Sequence, residues 1–183
     1  MTPQELFFSN LFTAPKKGGK VRPIINLKIL NQYLNVPKFK METVALVSKC
    51  IIQNLWGVII DLKDAFFLIP IAWLFHKFLA FVIDNRIFVF QFMPFGLSLA
   101  PWAFTRIMRP IMREIDKKGI MSFCLLDDFL LTNLSADTLK RETAEILKLF
   151  QGLGIQINWK KSSLIPRPVS YTHLTLPTKP SVW

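Results

Sequence analysis

Two short apolar runs in this 183-residue chain are each closed by acid, and this pattern restricts the fold more than any other feature. Gly57 to Ile60 ends at Asp61, while Ile120 to Leu126 is interrupted by Asp127 and Asp128 and resumes with Phe129, Leu130 and Leu131. Runs this short and this apolar predict buried strands, the second pair folding as a hairpin with two acids at its turn. If the two strands are neighbours in one sheet, their carboxylates converge on one spot, which is repulsive unless cations lie between them. Hard divalent cations with oxygen ligands meet that need. Two Mg²⁺, with Mn²⁺ as a substitute, held by carboxylates and nucleotide phosphates, stabilise the attacking and leaving oxygens of phosphoryl transfer. An isolated Asp-Asp pair would read as a polar turn; the apolar flanks on both sides favour a site.

Composition narrows the partners. Apolar residues make up 51% of the chain, which excludes a disordered tail and permits a real core. Twenty-three Lys and Arg against 12 Asp and Glu give a net charge of +11, pointing to a polyanion or an anionic surface. Cys50 and Cys124 lie far apart with no second thiol or His at metal-ligand spacing, so neither a disulfide framework nor a zinc module is supported. Mean hydropathy is high, +0.35, and the stretch from Ile87 to Thr105 is uncharged. Pro94, Gly96 and Pro101 interrupt it, and its first half alternates as a strand does, so no membrane span is expected. Met1 to Asn10 has neither the basic start nor the apolar run of a signal peptide, and an intracellular setting is expected.

The remaining pieces are a basic hairpin, helices and a further strand. Pro15, Lys16, Lys17, Gly18, Gly19, Lys20, Val21 and Arg22 place a Gly-Gly turn between short apolar runs, with cations at its tip. Read alone this is a solvated basic turn; beside a carboxylate cluster, Lys16, Lys17, Lys20 and Arg22 could grip a triphosphate. Met41 to Ile51 has the period of a short amphipathic helix. Pro101 to Lys118 is the clearest helix, with Phe104, Ile107, Met108, Ile111, Met112 and Ile115 on one stripe, a kink or break expected at Pro110, and Gly119 as its stop. Ser135 can cap a second helix with Leu139, Thr143, Ile146, Leu147 and Phe150 on its apolar face and Gly152 after it. Ile155 to Trp159 is expected to be the next strand. Pro94, Phe95 and Gly96 form a tight turn before the main helix.

The order of these pieces resembles a known family. PKKGGKVRPIINLKILN, DLKDAFFLIPI, HKFLAF, FMPFGLSLAPWAFTRIM, LLDDFLL and LGIQINWKK, spanning roughly residues 10 to 168, resemble the fingers and palm of a retroelement reverse transcriptase. The INLKILNQYL, KFKME and INWKKS phrases most resemble DIRS-type retrotransposons, with gypsy-type elements next. The resemblance implies an α+β fold: an antiparallel palm sheet backed by two helices, related to the split βαβ pattern, with a basic fingers subdomain. It implies fingers over residues 1–35 and 69–99 and palm over 36–68 and 100–168. It also implies roles: Asp61, Asp127 and Asp128 as metal-binding catalytic acids, and Phe66 closing the sugar pocket against a 2′-hydroxyl. Lys17 or Lys16, with Arg22, matches the residues gripping the incoming deoxynucleotide triphosphate. Phe95 and Gly96 match the turn lining the nucleotide and template pocket, and Lys161 or Lys160 matches the residue that protonates pyrophosphate. RNA or DNA template with primer, and deoxynucleotides, are the implied partners, with no membrane.

Departures from the family pattern bear on activity. Leu125 replaces the Tyr of the Tyr-x-Asp-Asp hairpin, Asn26 stands where many relatives have Asp, and Ala80 where a basic residue is common. Residues 169–183, around SYTHLTLPT, resemble a translated sequencing adapter and stand where the family continues into a primer grip, thumb and RNase H domain. A fragment of an RNA-directed DNA polymerase is therefore expected, with a catalytically inactive nucleic-acid-binding remnant as the alternative and an RNA-directed RNA polymerase disfavoured by Phe66. His76, Cys124, Trp56, Trp73, Trp102 and most of the 17 Phe read as packing residues, with one or two aromatics free to stack on template.

Overall fold

A computed structural model describes residues 5–16, 19–50, 52 and 54–169. In chain order its elements are β1 (Leu11–Lys16), β2 (Lys20–Ile25), α1 (Lys28–Gln32), α2 (Val44–Cys50), β3 (Trp56–Asp61), β4 (Ala80–Ile83) and β5 (Arg86–Val89). They continue as α3 (Ala100–Lys117), β6 (Met121–Leu125), β7 (Asp128–Asn133), α4 (Ala136–Gly152) and β8 (Ser163–Pro168). Short 3₁₀ helices cover Ala65–Leu68 and Trp73–Phe78. The chain forms two compact units, one of Met1–Phe39 with Phe66–Phe104, the other of Lys40–Ala65 with Thr105–Trp183.

The first unit is built from two hairpins. β1 and β2 pair antiparallel up to Lys16 opposite Lys20, the register expected of the basic turn. β4 and β5 are joined through Asp84 and Asn85, both with positive φ, the backbone that a two-residue hairpin turn demands. Ile25, Leu27, Leu30, Leu79, Leu97 and Ala100 form the buried core, with Phe66, Phe81 and Phe90 packed on it. Trp73 and Phe75, expected in the core, are instead exposed on their 3₁₀ helix. His76 is half-buried, its Nε2 lying 2.7 Å from the Ile71 carbonyl.

The second unit is a four-stranded sheet in the order β6-β7-β3-β8, every neighbouring pair antiparallel. With α3 between β3 and β6 and α4 between β7 and β8, this is the split βαβ arrangement. Alternation along β7 sends Phe129 to one face, edge-on to Phe150 of α4 at 5.1 Å, and Leu130 to the other, beside Val47 of α2, Leu55 and Phe123. Both faces are thus covered, which is why these strands read as continuous apolar runs. Met112 of α3 approaches Ser122 of β6, on the α4 side of the sheet. The N–H of Val169 donates to the Leu55 carbonyl at 2.8 Å, and its side chain packs on the Val47 cluster.

Helix ends follow local chemistry. Ser135 Oγ accepts the Thr138 N–H at 3.2 Å and starts α4. Gly119 and Gly154 both take positive φ just past their helices, and the N–H groups of Ile120 and Ile155 return to the carbonyls of Ile115 and Phe150. The glycine that stops α4 is therefore Gly154, since Gly152 is still helical. Three expectations need correction. Of the kink or break expected at Pro110, the break does not occur: Pro110 lies on the solvent side of α3, where water can serve the carbonyl that proline's missing N–H does not. Its stripe is narrower than the spacing suggested, Ile107 being exposed. Ile155 to Trp159 is no strand: Ile157 makes a single bridge to Leu62, Asn158 nucleates a turn, and the strand follows as β8. β8 holds Pro166 and Pro168, which an edge position tolerates. The stretch 170–183 lies outside the described residues.

The two glycines at the end of α4 make opposite predictions. Gly154→Ala forces a Cβ onto a φ of +73° and should lower the unfolding free energy by about 1 kcal/mol. Gly152→Ala, helical and in open space, should raise it by about 0.5 kcal/mol. Urea titration of the two variants against the parent measures both.

Candidate active site

The register of β3 on β7 places Asp61 directly opposite Asp128. Residues opposite each other in an antiparallel pair project to the same face with Cβ atoms about 5 Å apart. Asp127 precedes Asp128 in the hairpin turn, and its carbonyl accepts the Leu62 N–H at 2.6 Å, extending the link past the strand end. Asp128 is thus the first residue of β7 rather than part of the turn, a shift of one residue from the sequence expectation.

Asp61 is buried at 8% exposure, where an acid needs support. Support comes from the segment after α4. The Asp61 N–H donates to Ser162 Oγ at 3.0 Å and its carbonyl accepts the Asn158 N–H at 2.9 Å. The Asn158 carbonyl in turn accepts the N–H groups of Lys161 and Ser162, both at 3.0 Å, closing a tight turn. That turn aims Lys161, whose Nζ lies 3.3 Å from Asp61 Oδ2. Lys161, not Lys160, is therefore the basic residue at the acids. Lys160 is exposed in the same turn.

The hairpin turn carries backbone strain. Leu126 takes φ +57° at the first turn position, where such hairpins ordinarily use Gly or Asn, a cost of about 1–2 kcal/mol. Cys124 Sγ lies 3.6 Å from the Leu126 carbonyl as a weak donor. Burial first, then the charges of Glu42 and Asp127, push this thiol up to about 12, so it remains protonated and able to donate. Glu42 Oε2 accepts the Cys124 N–H at 2.5 Å. In the sequence, Glu42 is marked only by its place in the KFKME phrase.

The other predicted residues lie in the first unit. Lys16 ends β1, Lys20 begins β2 and Arg22 lies within β2; Lys17 lies outside the described residues. Phe66 lies on the first 3₁₀ helix, its ring 5.3 Å from that of Phe95 and 5.9 Å, edge-on, from that of Phe104. Gly96 turns with φ +94°, and an added Cβ would meet the Ile25 carbonyl at 3.6 Å. Asn31, not singled out from sequence, ties this turn down: its Nδ2 donates to the Gly96 carbonyl at 2.8 Å and its Oδ1 accepts the Ser98 N–H at 2.9 Å.

Asp61 and Asp128 offer carboxylate oxygens, the ligand type a hard divalent cation takes, with Lys161 Nζ 3.3 Å from Asp61. Among the described residues, no three His, Cys, Asp or Glu side chains form a ready-made cation shell. Mg²⁺ is commonly held by one or two carboxylates, with substrate phosphates and water completing the shell. Among the described residues, no helix is long and apolar enough to cross a membrane.

The split βαβ sheet carries its paired acids where the central strands β3 and β7 end, and comparison with known proteins gives it a family. Residues 14–176 match the family described as reverse transcriptase (RNA-dependent DNA polymerase). The chain belongs to the reverse transcriptase family, whose members use divalent metal ions. It is similar to the Transposon Tf2-7 and Tf2-3 polyproteins of Schizosaccharomyces pombe, 25% and 26% identical over 147 residues. The aligned region is 80% of this chain and 11% of each polyprotein. Its fold is similar to that of prototype foamy virus protease-reverse transcriptase, with a TM-score of 0.78 at 18% identity over 88% of this chain and 21% of that one. A foamy viral protease-reverse transcriptase solved with double-stranded DNA gives 0.76 at 20% identity, over 86% of this chain and 27% of that one. The α+β right-hand fold expected from the sequence is thereby found.

The two thiols should separate chemically. Cys50 is exposed, whereas Cys124 is largely buried with a raised pKa. Iodoacetamide at neutral pH should label Cys50 and leave Cys124 unlabelled until denaturant is added, read by mass spectrometry. Equal labelling of both in the folded chain would contradict the burial of the acid-bearing hairpin.

Proposed function

We propose that this chain is the fingers and palm of an RNA-directed DNA polymerase from a retrotransposon of DIRS-like or gypsy-like type, adding deoxynucleotides to a primer 3′-hydroxyl on an RNA or DNA template. The observation that carries the reading is the pairing of Asp61 with Asp128 beside Asp127. A net charge of +11 supports a polyanionic partner. The foamy viral relatives were solved with double-stranded DNA and with an RNA/DNA hybrid, which supports a template-primer as that partner. The chain spans only a small part of its polyprotein relatives, and we propose that a thumb and an RNase H domain belong to the full-length protein.

Asp61, Asp127 and Asp128 are the residues that would hold Mg²⁺, or Mn²⁺ in its place. When bound, such ions lower the pKa of the attacking hydroxyl and neutralise the charge on pyrophosphate. Asp61 contributes a carboxylate whose backbone is fixed on both sides by Asn158 and Ser162. Lys161 balances that carboxylate's charge and is the proposed proton donor to the leaving pyrophosphate. Phe66, held between Phe95 and Phe104, is the proposed gate against a ribose 2′-hydroxyl, with Phe95 and Gly96 as the proposed lining of the nucleotide pocket. Lys16, Lys17 and Arg22 of the basic hairpin are the proposed triphosphate grip.

Asp61→Asn and Asp127→Asn should abolish primer extension with Mg²⁺ while leaving salt-sensitive template-primer binding nearly unchanged. Extension at the parental rate by either variant would overturn the assignment. Binding without extension by the parent itself would favour a nucleic-acid-binding remnant. Phe66→Val should lower discrimination against ribonucleotides by about tenfold or more, measured as the ratio of kcat/KM for deoxy- and ribonucleotide triphosphates.

A further inference from the structure

β6 is an end strand of the sheet, so one row of its backbone groups faces away from β7. Leu125 and Asp128 form the last pair before a two-residue turn and exchange ladder bonds, so the next pair, Cys124 with Phe129, turns its backbone groups outward. The outward N–H of Cys124 would otherwise be left to water, and it is here held by Glu42 at 2.5 Å from a point 82 residues earlier in the chain. Glu42 is held there by its neighbours. Thr43 Oγ1 accepts the Leu46 N–H at 3.2 Å and opens α2, and Val47 of that helix is fully buried against Phe123 of β6 and Leu130 of β7. The same Cys124 that gives its N–H to Glu42 directs its thiol to the carbonyl of Leu126, the left-handed residue next to Asp127.

We infer that Glu42 is a positioning residue for the acid-bearing turn: its carboxylate clamps the outer edge of β6 and, through Cys124 and the strained Leu126, fixes where Asp127 and Asp128 stand. The role belongs to the acceptor oxygen rather than to the negative charge. Burial pushes the Glu42 carboxyl up from its ordinary range, the Cys124 amide draws it down, and Asp116 raises it again, while an acceptor oxygen is present in either protonation state. Gln, which keeps an oxygen at the same reach, should therefore substitute. Asp, which keeps the charge on a shorter arm, should not.

This inference rests on the proposed role of Asp127, and two readouts on the 183-residue chain keep the two separable. Mn²⁺ affinity is measured by electron paramagnetic resonance of the free ion, and amide exchange of Cys124 and Leu126 by NMR. Glu42→Asp should weaken Mn²⁺ binding about tenfold and speed exchange of the two amides about tenfold. Glu42→Gln should stay within about twofold of the parent in both. Cys124→Ala, which removes the thiol and keeps the amide clamp, should also weaken Mn²⁺ binding and guards against a Glu42→Asp chain that fails to fold. Parental Mn²⁺ affinity in both Glu42→Asp and Cys124→Ala, or a fall in Glu42→Gln as large as in Glu42→Asp, would overturn the role of Glu42. If Asp127→Asn leaves Mn²⁺ binding unchanged, the metal-site reading fails instead, and amide exchange alone decides whether Glu42 clamps the turn.

Discussion

The antiparallel pairing of β3 with β7 brings like charges face to face at the end of a buried sheet, and much of the second unit answers that repulsion. Asp61 and Asp128 are opposite in register, and Asp61 is nearly excluded from water. Two carboxylates so placed destabilise a sheet unless something of opposite charge meets them. Lys161 is delivered to Asp61 by the Asn158 turn, which is itself bonded to the Asp61 backbone on both sides. The turn between β6 and β7 adds a left-handed Leu126, propped by Cys124 and, through it, by Glu42. Strain and unfavourable charge gathered in one small region support the proposal of a cation site there.

Much of this was legible in the sequence because burial on both faces leaves a continuous apolar run, and an acid ending such a run stands out. Asp61, Asp127 and Asp128 were visible on that ground alone, and Ser135 and Gly119 announced helix ends by their chemistry. What stayed hidden depends on partners distant in the chain. Glu42 and Asn31 look like ordinary polar residues until the fold brings them to Cys124 and to the turn at Gly96. β8 stands outside every sequence expectation: Pro166 and Pro168 are foreign to a central strand, and at a sheet edge they leave the β3 pairing intact. Ile155 to Trp159 was misread for the opposite reason: its apolar alternation suggests a strand, but its backbone groups serve Asp61, Lys63 and a turn.

The first unit shows another kind of organisation. Its core gathers around Leu27, Leu30, Leu79 and Leu97, and the residues expected to meet a nucleotide are held by packing and backbone bonds rather than by charge. Phe66 is fixed by two rings and Gly96 by the Asn31 amide, so both are set before any ligand arrives.

That Asp61, Asp127 and Asp128 together form one cation site is a proposal carried by the β3–β7 register. It is tested most directly by a crystal structure of the chain with template-primer, a non-hydrolysable deoxynucleotide triphosphate and Mn²⁺, collected at the manganese absorption edge. The expected result is anomalous density within about 2.2 Å of carboxylate oxygens from Asp61 and from the Asp127–Asp128 turn, with Lys161 displaced from Asp61. Manganese bound elsewhere on the chain, with the Asp61 to Lys161 pair intact, would contradict it.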